Sequence, residues 1–390
     1  MIDAVGSRCT GCGACISACP EGCIAMERRE LGHVYPVVNE GKCVRCGRCV
    51  RSCHSLRHFE RGEFAGAAFA LQAKDRSILR DSSSGGAFSL LAEKMIARGG
   101  VVYGSAWNRG AGARHMRASS PEDVVGLRRS KYVQSDTVGI FEQVRVDLVE
   151  GREVLFVGTP CQVAAVRAFL RDGCEGLVTA DLVCHGVPSS AFFEEYLSWL
   201  EWRAGKSLVE YNSRDKEAAG WSCLGSFRTE AGPASVLPVD DPYVLTFSQN
   251  ATFRESCYAC PYAGPRRVGD LTLGDFWGVE RMRLDLDLDG GVSVVLVNSP
   301  VGACLFREAC GERATTFEVG FPDAARSNSN LARPSVRPAE REEIVEAYRG
   351  GGFAAVAEIV PQLYRGTIVK NSIKRVVPSS VKRLIKGALR

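Results

Sequence analysis

The sequence predicts an α+β chain: a small N-terminal module built on a duplicated cysteine block, followed by a larger mixed α/β core. Three observations carry that prediction. One four-cysteine pattern occurs twice within the first 53 residues. Beyond residue 66, short apolar runs alternate with amphipathic helical stretches. The length of 390 residues suggests two or three domains rather than one.

Composition removes several classes. With 45% hydrophobic and 24% charged residues, the chain is not disordered as a whole. No apolar run approaches the ~18–20 residues of a membrane span. The opening MIDAVGSRCTGCG lacks a basic stretch followed by an apolar one, so no secretory signal is expected. The net charge of +4 hides an asymmetry: positions 361–390 carry eight Lys or Arg and no acid, which leaves the rest at −4. A globally basic nucleic-acid binder does not look like this. Seventeen cysteines, nine of them between Cys9 and Cys53, read as metal ligands in a reducing, cytoplasmic setting rather than as disulfides.

The first element is CTGCGACISACP, with Cys9, Cys12, Cys15 and Cys19; the second is CVRCGRCVRSCH, with Cys43, Cys46, Cys49 and Cys53. Each cysteine recurs 34 positions later, and Gly13 recurs as Gly47. In this spacing three thiolates from one tight loop reach three corners of an iron cubane. The fourth cysteine starts the following helix and reaches the other cluster. Hence Cys9, Cys12, Cys15 and Cys53 are expected to hold one [4Fe–4S] cluster, and Cys43, Cys46, Cys49 and Cys19 a second. Zinc prefers paired C-x2-C motifs across a longer gap. The block resembles bacterial-type two-cluster ferredoxins over residues 1–58. His54 stands where the first block has Pro20, and Cys23 is expected to be a small packed residue.

Residues 59–65 read as a connector and AAFALQA (67–73) as a strand. In RDSSSGGAFSLLAEKMIARGG, Ser82, Ser83 and Ser84 are candidate helix caps, while Gly85 and Gly86 leave backbone N–H groups free to converge on an anion. A plain capped helix is the alternative. GVVYGSAW (100–107) is a strand, Lys131 and Tyr132 lie on a loop, and 137–150 is helical. VLFV (154–157) is a buried strand whose turn delivers Pro160 and Cys161 to a helix start, where the dipole favours the thiolate. A second unit ends its strand at Cys184 and starts a helix near Ser189 or Ser190. Both cysteines thus sit at carboxyl ends of parallel strands, where α/β sheets place ligands. CYAC supplies Cys257 and Cys260. Four further thiolates suggest a third [4Fe–4S] cluster, with zinc or simple packing as alternatives. Cys174, Cys223, Cys304 and Cys310 receive no role.

SSSGGAFS (82–89), SKYVQS (130–135), VLFVGTPCQVA (154–164), DLVCHGVPS (181–189), RDK (214–216), GW (220–221), CYAC (257–260) and LGDFWG (273–278) resemble, in order, the beta-subunit family of coenzyme F-420-reducing hydrogenases and F-420 dehydrogenases. Plant hydroxymethyl-chlorophyll reductase is similar over the same stretch. The resemblance implies an N-terminal family domain over 66–148 and a C-terminal one over 149–320; the helical, basic tail expected over 321–390 is not part of the family core. It implies a flavin- and cluster-binding core, with FAD beside a [4Fe–4S] cluster on Cys161, Cys184, Cys257 and Cys260. It further implies flavin contacts from Ser84, Gly85, Gly86, Lys131 and Tyr132.

Three clusters and a flavin convert one-electron into two-electron chemistry. The expected function is an iron–sulfur flavoprotein oxidoreductase. It would exchange electrons between a one-electron carrier, a ferredoxin or a dehydrogenase or hydrogenase subunit, and a two-electron small molecule such as the deazaflavin coenzyme F-420. The alternative is an electron-transfer subunit, or a reductase of an unrelated organic substrate linked to polysaccharide assembly. A zinc-stabilised interaction protein is the third reading. His185 is either a proton donor near the flavin or a residue hydrogen-bonded in support of the cluster. Asp275 is expected to be a turn residue. The end of the chain (379–390) places apolar residues on one helical face and Lys382, Arg383, Lys386 and Arg390 mainly on the other. That pattern suits a membrane surface, an acidic partner or plain solvent. No nucleic-acid partner is expected.

Overall fold

The computed structural model describes residues 1–56, 66–108, 112–171, 175–230 and 232–376. The connector, Cys174 and the 379–390 segment lie outside them.

The N-terminal module is small because two loops of cysteines do the work of a core. Each loop leads into one helical turn, Ala14–Ser17 and Arg48–Arg51. Gly13 and Gly47 precede those turns in the left-handed region, at φ 72° and 71°, which an L side chain adopts only at a cost. An antiparallel pair, β1 (Ile24–Arg28) and β2 (Val34–Val38), closes the module.

The body is built on one mixed sheet. In chain order its strands are β3 (Ala67–Ala73), β4 (Val101–Trp107), β5 (Ala113–Ala118), β6 (Ser135–Asp136), β7 (Val154–Gly158) and β8 (Leu177–Leu182). A separate three-stranded sheet follows, β9 (Leu208–Asn212), β10 (Ser226–Thr229) and β11 (Ser235–Val236), before β12 (Leu271–Asp275), β13 (Ser293–Val297) and β14 (Ala314–Val319) return to the main one. The large sheet runs β14-β3-β13-β12-β8-β7-β4-β5-β6. Its centre, β12, β8, β7 and β4, is parallel, and antiparallel strands flank it. Both ends of the core segment contribute strands to this one sheet.

The apolar runs explain the layering. Every residue of β7 and β13 is buried, as a strand covered on both faces requires. Leu155 and Val157 face helices Ala87–Ala97 and Pro300–Cys310. Val154 and Phe156 face helices Ile140–Val149 and Pro160–Leu170. Ala14 of the first cysteine loop joins that second cluster, and Cys12, Cys161 and Cys260 pack against it. A third cluster, rich in aromatics, forms where helix Ser190–Ala204 meets helix Arg341–Leu363 and includes Phe192, Phe193, Tyr196, Tyr243 and Phe353. Among the described residues no helix is long and apolar enough to cross a membrane.

One element departs from expectation. None of Ser82, Ser83 and Ser84 caps the helix; its N-cap is Gly86, left-handed at φ 92°. The three hydroxyls are spent elsewhere: Ser82 donates to Ile78 O, Ser84 to Val292 O, and Ser83 accepts from Ser130 N. The serine run fastens the loop to its surroundings and leaves the helix start open.

Candidate functional site

A cleft of about 470 Å³ opens at the carboxyl ends of the parallel strands. That volume lies within the range of small-molecule sites, ~300–1,000 Å³. Gly158 ends β7 and Cys161 follows it, Cys184 and His185 follow β8, and Asp275 and Trp277 close β12. The parallel centre of the sheet therefore aims three successive strand ends at one space, as the switch-point rule requires.

The expected cofactor residues fall into two groups. Ser84, Gly86, Lys131 and Tyr132 line the cleft together with Cys161 and Cys184. Gly85 does not. A Cβ there would stand 2.1 Å from Leu71 O, and its N–H already donates to Ser293 Oγ at 2.9 Å. Its smallness serves close backbone packing. Lys131 Nζ turns back on the end of helix Pro121–Leu127, donating to Gly126 O, Arg128 O and Arg129 O. Burial, with Arg129 beside it, pushes its pKa down to about 7. Tyr132 stacks on Phe247 with ring centroids 4.7 Å apart.

Cys161, Cys184, Cys257 and Cys260 are electrostatic neighbours. Cys184 is raised first by burial and then by Cys257, Cys161 and Cys260; Cys161 is raised to about 12 by burial, with Cys260 and Cys257 adding. Cys257 is pushed to about 11 by burial, against which Arg254 pulls down. At this helix start burial opposes the dipole's pull toward the thiolate. Desolvation comes first, with Cys260 and Cys257 adding to it, while Thr159 Oγ1, 3.1 Å from the sulfur, pulls the other way. Four neighbouring thiols form a donor set whose ionised form a bound cation would favour. Among the described residues no three His, Cys, Asp or Glu groups converge closely enough for a single ion.

A buried ion pair fixes the set. Asp181, on β8, meets Arg267 at 2.6 Å, with side chains 0% and 1% exposed. Asp181 also accepts from Val268 N and Gly269 N, while Arg267 donates to Tyr262 O and Leu182 O. The strand end before Cys184 and the loop after Cys260 are thereby tied together.

In the N-terminal module the thiols assort across the duplication. Burial raises Cys12 to about 12, with Cys9 and Cys53 as its charged neighbours; Cys15 is raised by burial and by Cys12, Cys9 and Cys53. Cys49 feels Cys19 and Cys46. A separate cavity of about 260 Å³ lies among Cys19, Cys43, Cys46 and Cys49. Cys23 lines it too, with its sulfur 3.3 Å from Cys19 Sγ, and is buried in the module's apolar cluster with Ile2, Val5 and Ile24, as a small packed residue.

The two sites are joined by side chains. His54 bridges Thr10 Oγ1 at 2.9 Å and Tyr262 OH at 2.6 Å, linking the residue after Cys53 to the residue two beyond Cys260. Buried Arg254 donates to Cys9 O, Val34 O and Gln134 Oε1, three residues before Cys257. Position 54 is visible in the sequence as a departure from the repeat; Arg254 carries no sequence signal.

His185 sits at the cleft surface, and its ring makes no hydrogen bond to the described residues. Enclosure lowers its pKa, and Asp275 opposes that. Asp275 is no mere turn residue. It ends β12, binds Arg214 Nη1, and accepts from Trp221 Nε1 at 2.8 Å. Trp221 in turn stacks on Trp277 at 4.9 Å. Lys216 donates to Leu79 O, Ser84 O and Gly290 O, clamping the serine loop. The RDK, GW and LGDFWG motifs thus form one wall, which their separation in sequence conceals. Of the remaining cysteines, Cys223 lines the cleft, Cys304 donates to Glu308, and Cys310 is buried in the core.

Residues 8–55 match the family model of the 4Fe-4S dicluster domain. Residues 151–320 match the model for the C terminus of the coenzyme F420 hydrogenase/dehydrogenase beta subunit. No curated protein matches the chain. One similar structure is a chain of the xenon-derivatised F420-reducing [NiFe] hydrogenase complex from Methanosarcina barkeri. It is 17% identical, spans 75% of this chain and 94% of its own, and gives a TM-score of 0.47. The two matched segments are related to iron–sulfur, oxidoreductase-type electron-transfer proteins, and the resemblance read from the motifs stands over both.

Proposed function

We propose that the chain is an iron–sulfur flavoprotein oxidoreductase with three [4Fe–4S] clusters and an FAD, exchanging electrons between a one-electron protein carrier and a two-electron substrate such as coenzyme F-420. The observation that carries this reading is the junction: Cys161 and Cys184 wall the same cleft as the open helix start, while the Cys257–Cys260 loop is bonded through Tyr262 and His54 to the first cysteine block. A flavin supplies the change from one-electron to two-electron chemistry.

The residues divide the labour. Gly86 and the first turn of helix Ala87–Ala97 present backbone N–H groups to an anionic nucleotide. Lys216 holds that loop in place. Tyr132 and Trp277 offer aromatic faces, and His185 offers a proton at the cleft surface. Cys161, Cys184, Cys257 and Cys260 hold the cluster beside the cleft. Arg254, a permanent cation between the two thiol sets, favours the more reduced, more negative clusters.

Mixing the anaerobic protein with reduced coenzyme F-420 tests the reading. Flavin bleaching followed by cluster bleaching supports it. Cluster bleaching by dithionite but none by the coenzyme removes that substrate, and protein that never binds flavin removes the flavoenzyme.

A further inference from the structure

The two cysteine loops are copies of one sequence, so their differences report what each loop faces. Where the first has Gly11, Ala14 and Ser17, the second has Arg45, Arg48 and Arg51, each 34 positions later. In the first loop Gly11 and Ala14 are closely surrounded. A Cβ on Gly11 would stand 2.4 Å from Arg254 Nη2 and 2.6 Å from Gln134 Nε2. Ala14 is 1% exposed, inside the core. In the second loop all three arginines are exposed, as is Lys42, and Val44 between them is 63% exposed.

Arg45 adopts φ 52°, matching Gly11 at 68°. A non-glycine residue in that region costs roughly 1–2 kcal/mol, and an exposed side chain returns no packing energy for it. The thiols show the same asymmetry. Cys9, Cys15 and Cys53 are buried, whereas Cys46 is exposed. The nearby acids, Glu21 and Glu40, leave the face basic.

We propose that the 42–51 loop is the docking face for a small acidic one-electron carrier protein. This deepens the function proposed above and rests on its premise that the N-terminal clusters carry electrons. One electron leaves the reduced carrier and enters the cluster held by Cys19, Cys43, Cys46 and Cys49; the carrier is oxidised by one electron and the cluster reduced by one. No bond forms and no proton moves. Two such encounters match one two-electron turnover. The arginines steer the acidic partner, and exposed Val44 gives it an apolar point of contact beside Cys46.

The test uses the full-length anaerobic protein, a reduced acidic [2Fe–2S] ferredoxin as donor, and freeze-quench electron paramagnetic resonance to time cluster reduction. The wild-type rate should fall steeply with added salt, because the screening length is only about 10 Å at 0.1 M. R45Q/R48Q/R51Q should react about tenfold more slowly at low salt and lose most of its salt dependence. R45K/R48K/R51K should stay near wild type, and dithionite should reduce all three proteins alike. A wild-type rate indifferent to salt, or a glutamine variant as fast as wild type, overturns the proposal; so does a lysine variant as slow as the glutamine one. The readout needs neither flavin nor the third cluster. A flavin-free protein with salt-steered reduction would therefore sink the oxidoreductase reading and leave this one standing.

Discussion

Arg267→Met isolates the ion pair that ties Cys184 to the Cys257–Cys260 loop. The substitution removes the guanidinium from a carboxylate that is 0% exposed and keeps only two backbone donors, Val268 N and Gly269 N. It also strips a donor from Tyr262 O and from Leu182 O. Breaking a buried pair on one side costs about 3–5 kcal/mol, because the remaining charge stays desolvated. At about 2–4 °C per kcal/mol for a unit of this size, the unfolding midpoint should drop by roughly 6–20 °C. Anaerobic thermal unfolding followed by tryptophan fluorescence measures the drop. The double variant D181N/R267M should recover at least half of it, since no buried charge is then left alone. A single-variant drop below about 2 °C would refute the reasoning, as would a double variant no better than the single.

Further outcomes follow from other contacts. His115 donates from Nε2 to Val157 O and accepts from Ser135 at Nδ1, and burial lowers its pKa to about 4. Its folded pKa lies below the unfolded value, so the stability it confers is present above pH ~6.5 and is lost as pH falls toward 4, to a total of about 3 kcal/mol. His115→Gln should flatten the acid limb of a stability–pH curve. Gly85→Ala should prevent normal folding of the cleft wall, because its Cβ would meet Leu71 O at 2.1 Å and Ser293 N at 2.5 Å; soluble expression at the wild-type level and melting point would contradict this. Lys216→Met releases three carbonyls, one of them Ser84 O, and should weaken flavin retention on gel filtration while leaving cluster content unchanged.

Much of this was legible in the sequence, for physical reasons. The cysteine blocks announce themselves because cluster ligation demands fixed spacing. β7 is legible because a strand covered on both faces is a continuous apolar run, and β8 because its mostly apolar LVTADL stretch is bounded by glycine and a turn. Cys161 and Cys184 followed from the rule on strand carboxyl ends. Other features were hidden because they depend on long-range contacts. Arg254 and Gln134 act only once the first cysteine loop is laid against them. The wall of Arg214, Trp221, Asp275 and Trp277 joins segments more than 50 residues apart. The serine run read as a helix cap by local rule, yet distant Val292 and Ser130 claim two of its hydroxyls. The helix start favours a Cys161 thiolate by local rule, and burial, which local sequence does not show, opposes it.

Iron, sulfide and flavin assayed on the full-length protein, purified without oxygen, test the central claim most directly. Three cubanes and one isoalloxazine require about twelve iron and one flavin per chain, falling to about eight iron in Cys184→Ala. A wild-type chain with about eight iron and no flavin, unchanged by that substitution, would contradict the account.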